Sequence, residues 1–339
     1  MIITRTPLRI SFVGGGSDMA EFYREHDGAV LSVAIAKYVF LSMHPYFHEQ
    51  KIFLKYSQSE LVDSVEQIQH RIIHEVFSAY GITGVDFNSS ADVPAGTGLG
   101  SSSSFTVGLI NLCNAYTGRR MTTAELAENA CRIEIERLHE PIGKQDQYAA
   151  AFGGMNLIQF HPDDSVRVER VVMTPRNYQQ LQRNLVLYYL GQTRAASEVL
   201  REQRNNIRSD RNKVAILRKM VQLARELFIA LSRGEIDALG ATLHDGWMYK
   251  KELAKGITNE RIDHYYNVAL RNGAQGGKLL GAGGSGFLLF YVAESEQERL
   301  QRALSDLQAF PVVFDDYGST VIDLNQVPTI SMPLHVRAA

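Results

Sequence analysis

The amino-acid sequence predicts an α+β protein, and three observations lead to that fold class. The first 60 residues alternate apolar and polar side chains with the period of β-strands. After position 190 most apolar side chains recur instead at helical spacing. Strands and helices also occur in separate blocks, whereas a doubly wound parallel sheet requires strict alternation.

In the first half we predict strands at residues 8–13, 29–36, 38–45 and 51–56, and a helix at 65–80 that Gly81 ends. A strand at 85–91 then leads into a glycine- and serine-rich segment at 92–104 and a helix at 105–116. A helix at 123–138 begins at Thr122 or Thr123 as its cap. Strands at 154–160 and 165–172 complete this half.

The second half is predicted to hold a strand at 185–190, four helices, a glycine-rich turn and a mixed C-terminal part. The helices are expected at 195–208, 211–233, 235–253 and 260–272, and the C-terminal elements at 287–292, 296–307, 311–314 and 319–324. A chain of 339 residues predicts about two domains. The pattern changes near residues 173–185, so we place the domains at 1–180 and 181–339.

Composition argues against several classes of function. The formal net charge of -2 gives no global reason to bind nucleic acid or a membrane surface, and we expect neither as a partner. No apolar run approaches the roughly 20 residues that span a bilayer, and residues 1–7 predict a strand and not a secretory signal. Cys113 and Cys131 fall in predicted helices, so we expect reduced core thiols and a cytoplasmic location.

The strongest local signal is residues 92–104, DVPAGTGLGSSSS, between a predicted strand and a predicted helix. Glycines at 96, 98 and 100 allow positive φ and close approach of backbone N–H groups to a ligand. The following helix start favours phosphate. The segment is not a Walker loop, because no Gly-Lys-Ser/Thr follows, and it lacks the dinucleotide pattern. A flexible loop with a serine helix cap is the alternative.

Residues 7–18, PLRISFVGGGSD, open a buried strand into three glycines. Asp18 then offers a carboxylate for two vicinal hydroxyls. The alternative is a tight hairpin with Arg9 as a surface charge and Asp18 as a helix cap. Near the C-terminus, residues 276–287 hold another glycine-rich turn, which either supports the phosphate-binding loop or contacts the ligand. Its Gly-x-Gly-x-x-Gly spacing leads into a strand, where the dinucleotide motif must open a helix.

Two carboxylates complete the predicted site. Glu134 lies towards the end of a predicted helix, and Asp146 is expected in the turn that follows. Phosphoryl transfer needs a divalent ion and often a carboxylate that holds the accepting hydroxyl, so one carboxylate is available for each task. An isolated aspartate in a loop is more often a turn former. Glu136 should point to a different helix face.

Taken together, the sequence resembles the GHMP kinases, the superfamily of galactokinase, homoserine kinase and mevalonate kinase. The motifs PLRISFVGGGSD, DVPAGTGLGSSSSF and KLLGAGGSGFLLF carry the resemblance in the family's order. Within the family the sequence resembles most the bacterial D-glycero-D-manno-heptose 7-phosphate kinases, through the run at 145–154. The resemblance implies an N-terminal α+β domain with a left-handed βαβ crossover and a ferredoxin-like C-terminal domain.

The resemblance also implies roles for individual residues. Asp146 would orient or deprotonate the attacking hydroxyl, and Arg9 would hold Asp146 as an anion and neutralise charge on the transferring phosphate. Mg²⁺ would be held by Ser102 and Glu134. ATP would be bound by Pro94, Gly96, Gly98, Leu99, Gly100, Ser101, Ser102 and Ser103. The sugar would be bound by Gly15, Gly16, Ser17, Asp18 and Gly283, with Lys144, Arg194 and Lys278 as candidate cations for its phosphate.

The implied activity is ATP-dependent phosphorylation of the anomeric hydroxyl of D-glycero-D-manno-heptose 7-phosphate, giving the 1,7-bisphosphate for nucleotide-activated heptose used in capsule, lipopolysaccharide or S-layer glycans. The partner is thus a small sugar phosphate, and a homodimer is left open. One alternative is a kinase for a fucose-like or galactose-like sugar without phosphate. The others are an inactive kinase-like sensor and, with weaker support, a dinucleotide-dependent oxidoreductase.

Overall fold

The computed structural model describes residues 1–48, 50–191 and 197–323. The strands are β1 Ile2–Val13, β2 Gly28–Pro45, β3 Ile52–Lys55, β4 Ser59–Val62, β5 Val85–Ala91, β6 Met155–Phe160, β7 Val166–Arg170, β8 Leu185–Tyr189, β9 Ala274–Leu279, β10 Phe287–Val292, β11 Gln308–Pro311 and β12 Thr320–Asp323. The helices are α1 Ala20–His26, α2 Arg71–Tyr80, α3 Ser101–Thr117, α4 Thr123–Cys131, α5 Gln145–Phe152, α6 Pro175–Arg183, α7 Ser197–Ser209, α8 Arg211–Ser232, α9 Ala238–Lys251, α10 Glu260–Arg271 and α11 Glu294–Ala303.

The first half is built on an eight-stranded sheet with the order β12-β1-β2-β5-β3-β4, to which β6 and β7 add through β2. Most neighbours are antiparallel, but β3 and β5 run parallel and enclose α2 in a βαβ unit. The long strand β2 pairs with β1, β5 and β6 along different parts of its length. Helix α3 packs across β1 and β2, which places its N-terminus beside the middle of β1.

The second half contains a four-stranded antiparallel sheet with the order β11-β8-β10-β9. In chain order these strands are fourth, first, third and second, which is the ferredoxin-like arrangement that the family resemblance implies. Helices α7 to α10 fill the connection between β8 and β9. Helix α9 packs on β9 and β10 and also reaches β1, so it bridges the two sheets.

One hydrophobic core runs through both halves. Helix α8 packs against β1 and β2, although it lies in the second half of the sequence. Strand β12 likewise returns to the first sheet and pairs antiparallel with β1. The boundary between residues 180 and 181 stays a prediction, because the chain crosses between the sheets more than once. Trp247 and Tyr266 are among the large side chains buried in this core.

Several element predictions need correction. Asp146 lies in the first turn of α5 and not in a loop. The turn expected around residue 276 is strand β9, where Gly276 and Gly277 pair with β10. The predicted boundary region contains α6, which Thr174 caps and Pro175 opens. The strand expected at 311–314 is displaced to β11, and the two strands expected at 29–36 and 38–45 are the single strand β2.

The helix expected at 123–138 is also divided. Helix α4 begins with a capping box at Thr122 and Glu125 and gives way to one π-helical segment, Arg132–Arg137. Such segments are rare and occur mostly at functional sites. Cys113 and Cys131 are buried and free, as predicted. Among the helices of the described residues, none combines the length and apolar character that crossing a membrane needs.

Candidate active site

The glycine- and serine-rich segment connects β5 to α3, as the sequence predicts. Gly100 is the N-terminal flanking residue of α3 and has φ of +78°, so the chain enters the helix from a left-handed conformation. Within the described chain, no side chain caps this helix end. The first N–H groups of α3 therefore remain available to an anion, and the helix dipole favours one there.

A second glycine turn packs directly against this loop. A Cβ atom on Gly98 would lie 2.5 Å from the carbonyl oxygen of Leu280, and one on Gly281 would lie 2.4 Å from the Cα of Gly98. A Cβ on Gly286 would similarly meet the carbonyl oxygen of Thr97 at 2.3 Å. The glycines thus allow two backbones to touch. This contact gives the C-terminal motif the supporting role that was one of its two predicted functions.

Arg9 projects from β1 and joins the loop to α5. Its Nε and Nη2 atoms each donate to a carboxylate oxygen of Asp146 at 2.7 Å, and Nη1 donates to the carbonyl oxygen of Gly98 at 2.6 Å. The backbone N–H of Arg9 also donates to Leu99, at 3.0 Å. Side-chain exposure is 6% for Arg9 and 24% for Asp146, so the carboxylate is the member of the pair that solvent reaches. The surface-charge alternative for Arg9 is therefore wrong.

Glu134 lies in the π-helical segment and faces the serines of α3. Ser102 donates to its Oε1 atom at 2.9 Å, and the amide of Gln147 donates to Oε2 at 2.6 Å. Burial raises the pKa of Glu134 to about 6, against hydrogen bonds from Ser103, Gln147 and Ser102 that lower it. A buried carboxylate beside a hydroxyl is well suited to a divalent cation, whose charge would offset the loss of hydration.

Asp18 is buried beneath the glycine turn that follows β1. Its Oδ1 atom accepts from the backbone N–H of Gly16 at 2.8 Å and from the side-chain amide of Gln145 at 3.1 Å. Its Oδ2 atom accepts from the backbone N–H of Gln145 at 3.2 Å. Burial is the main reason why the pKa of Asp18 is raised, and nearby Asp146 adds to it. Met19, and not Asp18, precedes α1 as its N-terminal flanking residue, so the helix-cap alternative is wrong.

These groups line one cavity of about 530 Å³. The glycine- and serine-rich loop at residues 96–103, called the phosphate-type loop from here on, reaches this cavity. The Arg9–Asp146 pair, Glu134 and Asp18 reach it as well. The Oγ atom of Ser11 and the Oε1 atom of Gln145 also belong to residues on this wall, and both atoms are buried without a hydrogen-bond partner in the described chain. Buried polar atoms without a protein partner are commonly paired with ordered water or a ligand.

The structure brings most of the predicted site residues to this cavity, namely Arg9, Gly15, Gly16, Asp18, Gly96, Gly98, Gly100, Ser101, Ser102, Ser103, Glu134 and Asp146. It places others elsewhere. Leu99 is a core residue, and the Oγ atom of Ser17 bonds to the carbonyls of Gly14 and Ala29. Pro94 accepts a bond from Thr97 and lies outside the cavity wall, and Gly283 packs against Ile257.

Lys144 needs a further correction as a candidate cation for a substrate phosphate. Its Nζ atom donates to the carbonyl oxygen of Asp164 at 3.2 Å and lies 3.5 Å from Glu128, at a smaller neighbouring cavity of about 210 Å³. The side chain is thus engaged behind the main site. Arg194 lies outside the described residues.

The residues of the main cavity that sequence reasoning missed include Gln145, His70 and Lys250. His70 caps α2 and its ring packs against Tyr56 and Phe105. Lys250 is buried on α9, and its Nζ atom donates to the carbonyl oxygen of Gly281. A lysine in a helix is ordinarily a solvated charge, so no sequence pattern marks it. Lys278 also lines the wall and donates to Ser11 and Phe12 carbonyls at 2.8 and 3.0 Å.

Comparison with known proteins is consistent with this geometry. A family profile described as GHMP kinases N terminal domain matches residues 66–154, and one described as GHMP kinases C terminal matches residues 227–311. Together they cover just over half of the chain. The first spans the phosphate-type loop, Glu134 and Asp146, and the second spans Lys250 and the supporting glycine turn.

Individual proteins match over almost the whole length. A D-glycero-alpha-D-manno-heptose 7-phosphate kinase from Campylobacter jejuni is 29% identical, with 91% of this chain and 94% of that protein covered. A galactokinase from Pyrococcus furiosus is 25% identical, with 89% and 92% covered. The crystal structure of a D-glycero-D-manno-heptose 1-phosphate kinase from Bacteroides thetaiotaomicron superposes with a TM-score of 0.78 at 25% identity, with 96% and 99% covered.

Proposed function

The chain belongs to the GHMP kinase family and is an ATP-dependent sugar kinase, and from that premise we propose that its acceptor is D-glycero-D-manno-heptose 7-phosphate. The accepting group would be the anomeric hydroxyl, and the product the 1,7-bisphosphate. The relative from C. jejuni is named as a kinase for a heptose 7-phosphate, and the match covers 94% of its length. The single observation in the structure that supports the chemistry is the Arg9–Asp146 pair facing the cavity that the glycine loop also lines.

The proposed reaction is a direct phosphoryl transfer. The anomeric oxygen forms a bond to the γ-phosphorus of ATP while the bond from that phosphorus to the bridging β,γ-oxygen breaks, and ADP leaves. The hydroxyl proton passes to the carboxylate of Asp146. Because an anomeric hydroxyl is more acidic than an ordinary alcohol, a carboxylate within hydrogen-bond distance is a suitable acceptor. Arg9 fixes the orientation of that carboxylate through two parallel bonds.

The loop residues 96–103 would hold the phosphates of ATP. Backbone N–H groups at the start of α3 favour phosphate oxygens, and Ser101, Ser102 and Ser103 line the same wall. The backbone of Leu280 lies directly behind Gly98, where a Cβ atom would not fit, and Arg9 donates to the carbonyl oxygen of Gly98. A fixed set of donors lowers the cost of binding and of charge redistribution during transfer.

The residues present fit a Mg²⁺ ion. Mg²⁺ is ordinarily held by one or two carboxylates together with substrate phosphates and water. Glu134 and the Ser102 hydroxyl are 2.9 Å apart at the phosphate-binding end of α3, so these two side chains would hold the ion. When bound, the ion would neutralise charge on the β- and γ-phosphates. The buried carboxylate would then have a compensating charge that the described protein residues around it do not provide.

The sugar would lie against the wall formed by Gly15, Gly16 and Asp18. The Asp18 carboxylate already accepts three bonds from the protein, which fix its position. The unpartnered Ser11 Oγ and Gln145 Oε1 atoms add hydrogen-bonding capacity beside it. A polyhydroxylated acceptor would find polar partners along this wall, whereas an apolar acceptor would leave polar groups unpaired at a cost of about 1–3 kcal/mol each.

A panel of acceptors tests the proposal. D-glycero-D-manno-heptose 7-phosphate, the same heptose without phosphate, galactose and fucose would each be incubated with ATP and Mg²⁺, with ADP release and product mass as readouts. We expect the heptose 7-phosphate to give the highest kcat/KM and a product heavier by one phosphoryl group at the anomeric position. Faster turnover of galactose or fucose would favour the second candidate, which the galactokinase relative supports. Absence of turnover with every acceptor would favour the sensor alternative.

A further inference from the structure

Lys250 is a buried cation that the chemistry above does not use. It projects from the last turn of α9 into the main cavity, and the residue is 8% exposed. An ammonium group has three N–H donors. In the described chain, the carbonyl oxygen of Gly281 is the single hydrogen-bond acceptor of this group. Burying an ammonium costs far more free energy than one neutral carbonyl returns, so this contact alone does not account for a lysine here.

Its neighbours place Lys250 on the nucleotide side of the site. Gly281, whose carbonyl it binds, packs against Gly98 of the phosphate-type loop. Gly98 in turn accepts a bond from Arg9 at 2.6 Å. Lys250, Gly281, Gly98 and Arg9 therefore form a continuous series of contacts around the point where the loop meets Asp146. This is the region that the terminal phosphate of ATP would occupy if the loop holds the triphosphate.

The charges that face Lys250 come from four different elements. Arg9 on β1 and Lys278 on β9 repel it, while Asp146 on α5 and Asp18 in the turn after β1 attract it. Burial is the largest influence and Arg9 the next, and together they lower the pKa of Lys250 to about 8. The two carboxylates are already engaged by Arg9 and Gln145. An additional anion beside Lys250 would therefore offset the cost of burying its ammonium group.

Lys278 provides a useful contrast. It is equally buried in the same wall, but two of its three donors are taken by the carbonyls of Ser11 and Phe12. Lys278 thus clamps β9 to β1. Lys250 has the larger unused hydrogen-bonding capacity.

We propose that Lys250 is a further catalytic residue, whose ammonium group contacts the γ-phosphate of ATP and stabilises the charge of the phosphoryl group during transfer. This inference rests on the proposed function, because it needs ATP bound at residues 96–103. It involves no covalent step of its own. Arg9 and Lys250 would approach the phosphoryl group from two sides, and both are held by backbone carbonyls of the two glycine turns.

Proton uptake on nucleotide binding tests the contact without any acceptor sugar. At pH 8 a group with a pKa of about 8 is half protonated, and a γ-phosphate beside it would raise that pKa. Calorimetry with Mg²⁺ and AMP-PNP, in buffers of different ionisation enthalpy, should show about half a proton more taken up by the wild-type protein than by Lys250→Met. The difference between the proteins cancels the proton equilibrium of the nucleotide. ADP, which lacks the γ-phosphate, should show no such difference.

Kinetics with the acceptor that the panel identifies provide the second readout. Lys250→Met should lower kcat by about 10²- to 10³-fold, as loss of one preorganised donor commonly does, with little change in KM for the acceptor. Lys250→Arg keeps a cation and should retain more activity, but it should lose the proton uptake because a guanidinium does not titrate near pH 8. The neighbouring Lys251→Met is the matched control, since Lys251 pairs with Asp263 outside the cavity, and it should behave as wild type.

The outcomes separate this inference from the proposed function. Unchanged proton uptake in Lys250→Met would overturn the contact with the γ-phosphate. A rise confined to KM for a phosphorylated acceptor would also overturn it, and would assign Lys250 to the acceptor's own phosphate. If Lys250→Met does not fold, the test rests on Lys250→Arg. Loss of the proton uptake in that variant would support the contact with the γ-phosphate, and retention of the uptake would overturn it. If the heptose is not the acceptor, the nucleotide measurement is unaffected.

Discussion

Arg9 and Asp146 are 137 positions apart in the sequence, and their side chains form a bidentate ion pair with both N–O distances at 2.7 Å. The same guanidinium donates to the carbonyl of Gly98, so one side chain sets the distance between Asp146 and the phosphate-type loop. Removal of the carboxylate should therefore affect chemistry and leave nucleotide binding largely intact, whereas removal of Arg9 should affect both.

Asp146→Asn should lower kcat by about 10²- to 10⁴-fold, the usual effect of losing a positioned base, with ATP affinity within about threefold of wild type. Steady-state ADP release and calorimetry with AMP-PNP measure the two quantities. Asp63→Asn, which changes an exposed aspartate paired with Lys51, is the control and should be neutral. Near-normal turnover in Asp146→Asn would remove the base assignment. Combined with Arg9→Lys, the losses should be less than additive, because the two residues act as a unit.

Glu134→Gln should change the pH dependence of stability in the metal-free protein. Burial raises the pKa of Glu134 from its ordinary value of 4.5 to about 6. A group that binds its proton more tightly when folded stabilises the fold at low pH, and that stability is lost as pH rises through the folded pKa. We therefore expect the wild-type free energy of unfolding to fall by about 2 kcal/mol between pH 4.5 and 7 from this group, and the variant to lack that component.

The same variant tests the metal assignment. Mg²⁺ with ADP should raise the melting temperature of the wild-type protein at pH 8 and should have a much smaller effect on Glu134→Gln. Glu136→Gln, two positions away on an exposed part of the segment, is the matched control and should respond as wild type. An equal response of Glu134→Gln and wild type to Mg²⁺ would exclude Glu134 as a ligand.

Gly98→Ala should damage the loop through contact with the second glycine turn. The new methyl would lie 2.5 Å from the carbonyl of Leu280, at a φ of +86° that disfavours alanine. Gly81→Ala is matched, because it also has positive φ, at +65°, but nothing lies within 4 Å of its Cβ position. We expect Gly81→Ala to cost about 1 kcal/mol of stability. Gly98→Ala should cost more and should also raise KM for ATP at least tenfold. Equal effects in the two variants would show that the backbone moves to accommodate the methyl group, and would contradict the prediction.

Asp18→Asn should weaken binding of the acceptor sugar and leave binding of ATP unchanged. The asparagine is nearly the same size, but it cannot accept all three bonds from Gly16 and Gln145 and also bind a hydroxyl as a charged acceptor. Loss of one charge-assisted bond of about 1.5–3 kcal/mol predicts a 10- to 150-fold fall in kcat/KM for the sugar. KM for ATP should hardly change. Asp27→Asn, which changes a half-exposed aspartate beside His161, is the control. A larger effect on ATP than on the sugar would contradict the assignment.

The motifs that line the main cavity could be recognised in the sequence because local chemistry marks them. Three glycines and four serines between a strand and a helix favour phosphate binding by that loop. Asp18 follows a glycine turn that brings it to the same cavity. The fold class was likewise predicted from periodicity. The order of strands in the second sheet confirmed the ferredoxin-like expectation.

Other features depend on contacts that no local pattern carries. Helix α5 was missed because its start is short and polar, with Asp146 in a position that also suits a turn. Helix α6 was missed because it is polar and has a single buried residue, Leu181, although Thr174 followed by Pro175 marks a helix start. Lys250 lies beside Lys251 on one helix, and only the tertiary structure distinguishes the buried ammonium from the surface one.

The pairing of β12 with β1 also has a consequence for biosynthesis. Residues Ile2 to Arg5 are synthesised long before their partners on β12, which are Thr320 to Asp323. At about 5–20 residues per second, translation needs roughly 15 to 60 seconds to deliver that partner. During this interval the outer edge of β1 is open to strands of other nascent chains, and early termination before Thr320 would leave it open permanently. Nascent chains that have not yet reached Thr320 should therefore depend on chaperones more than the complete β12-paired fold does.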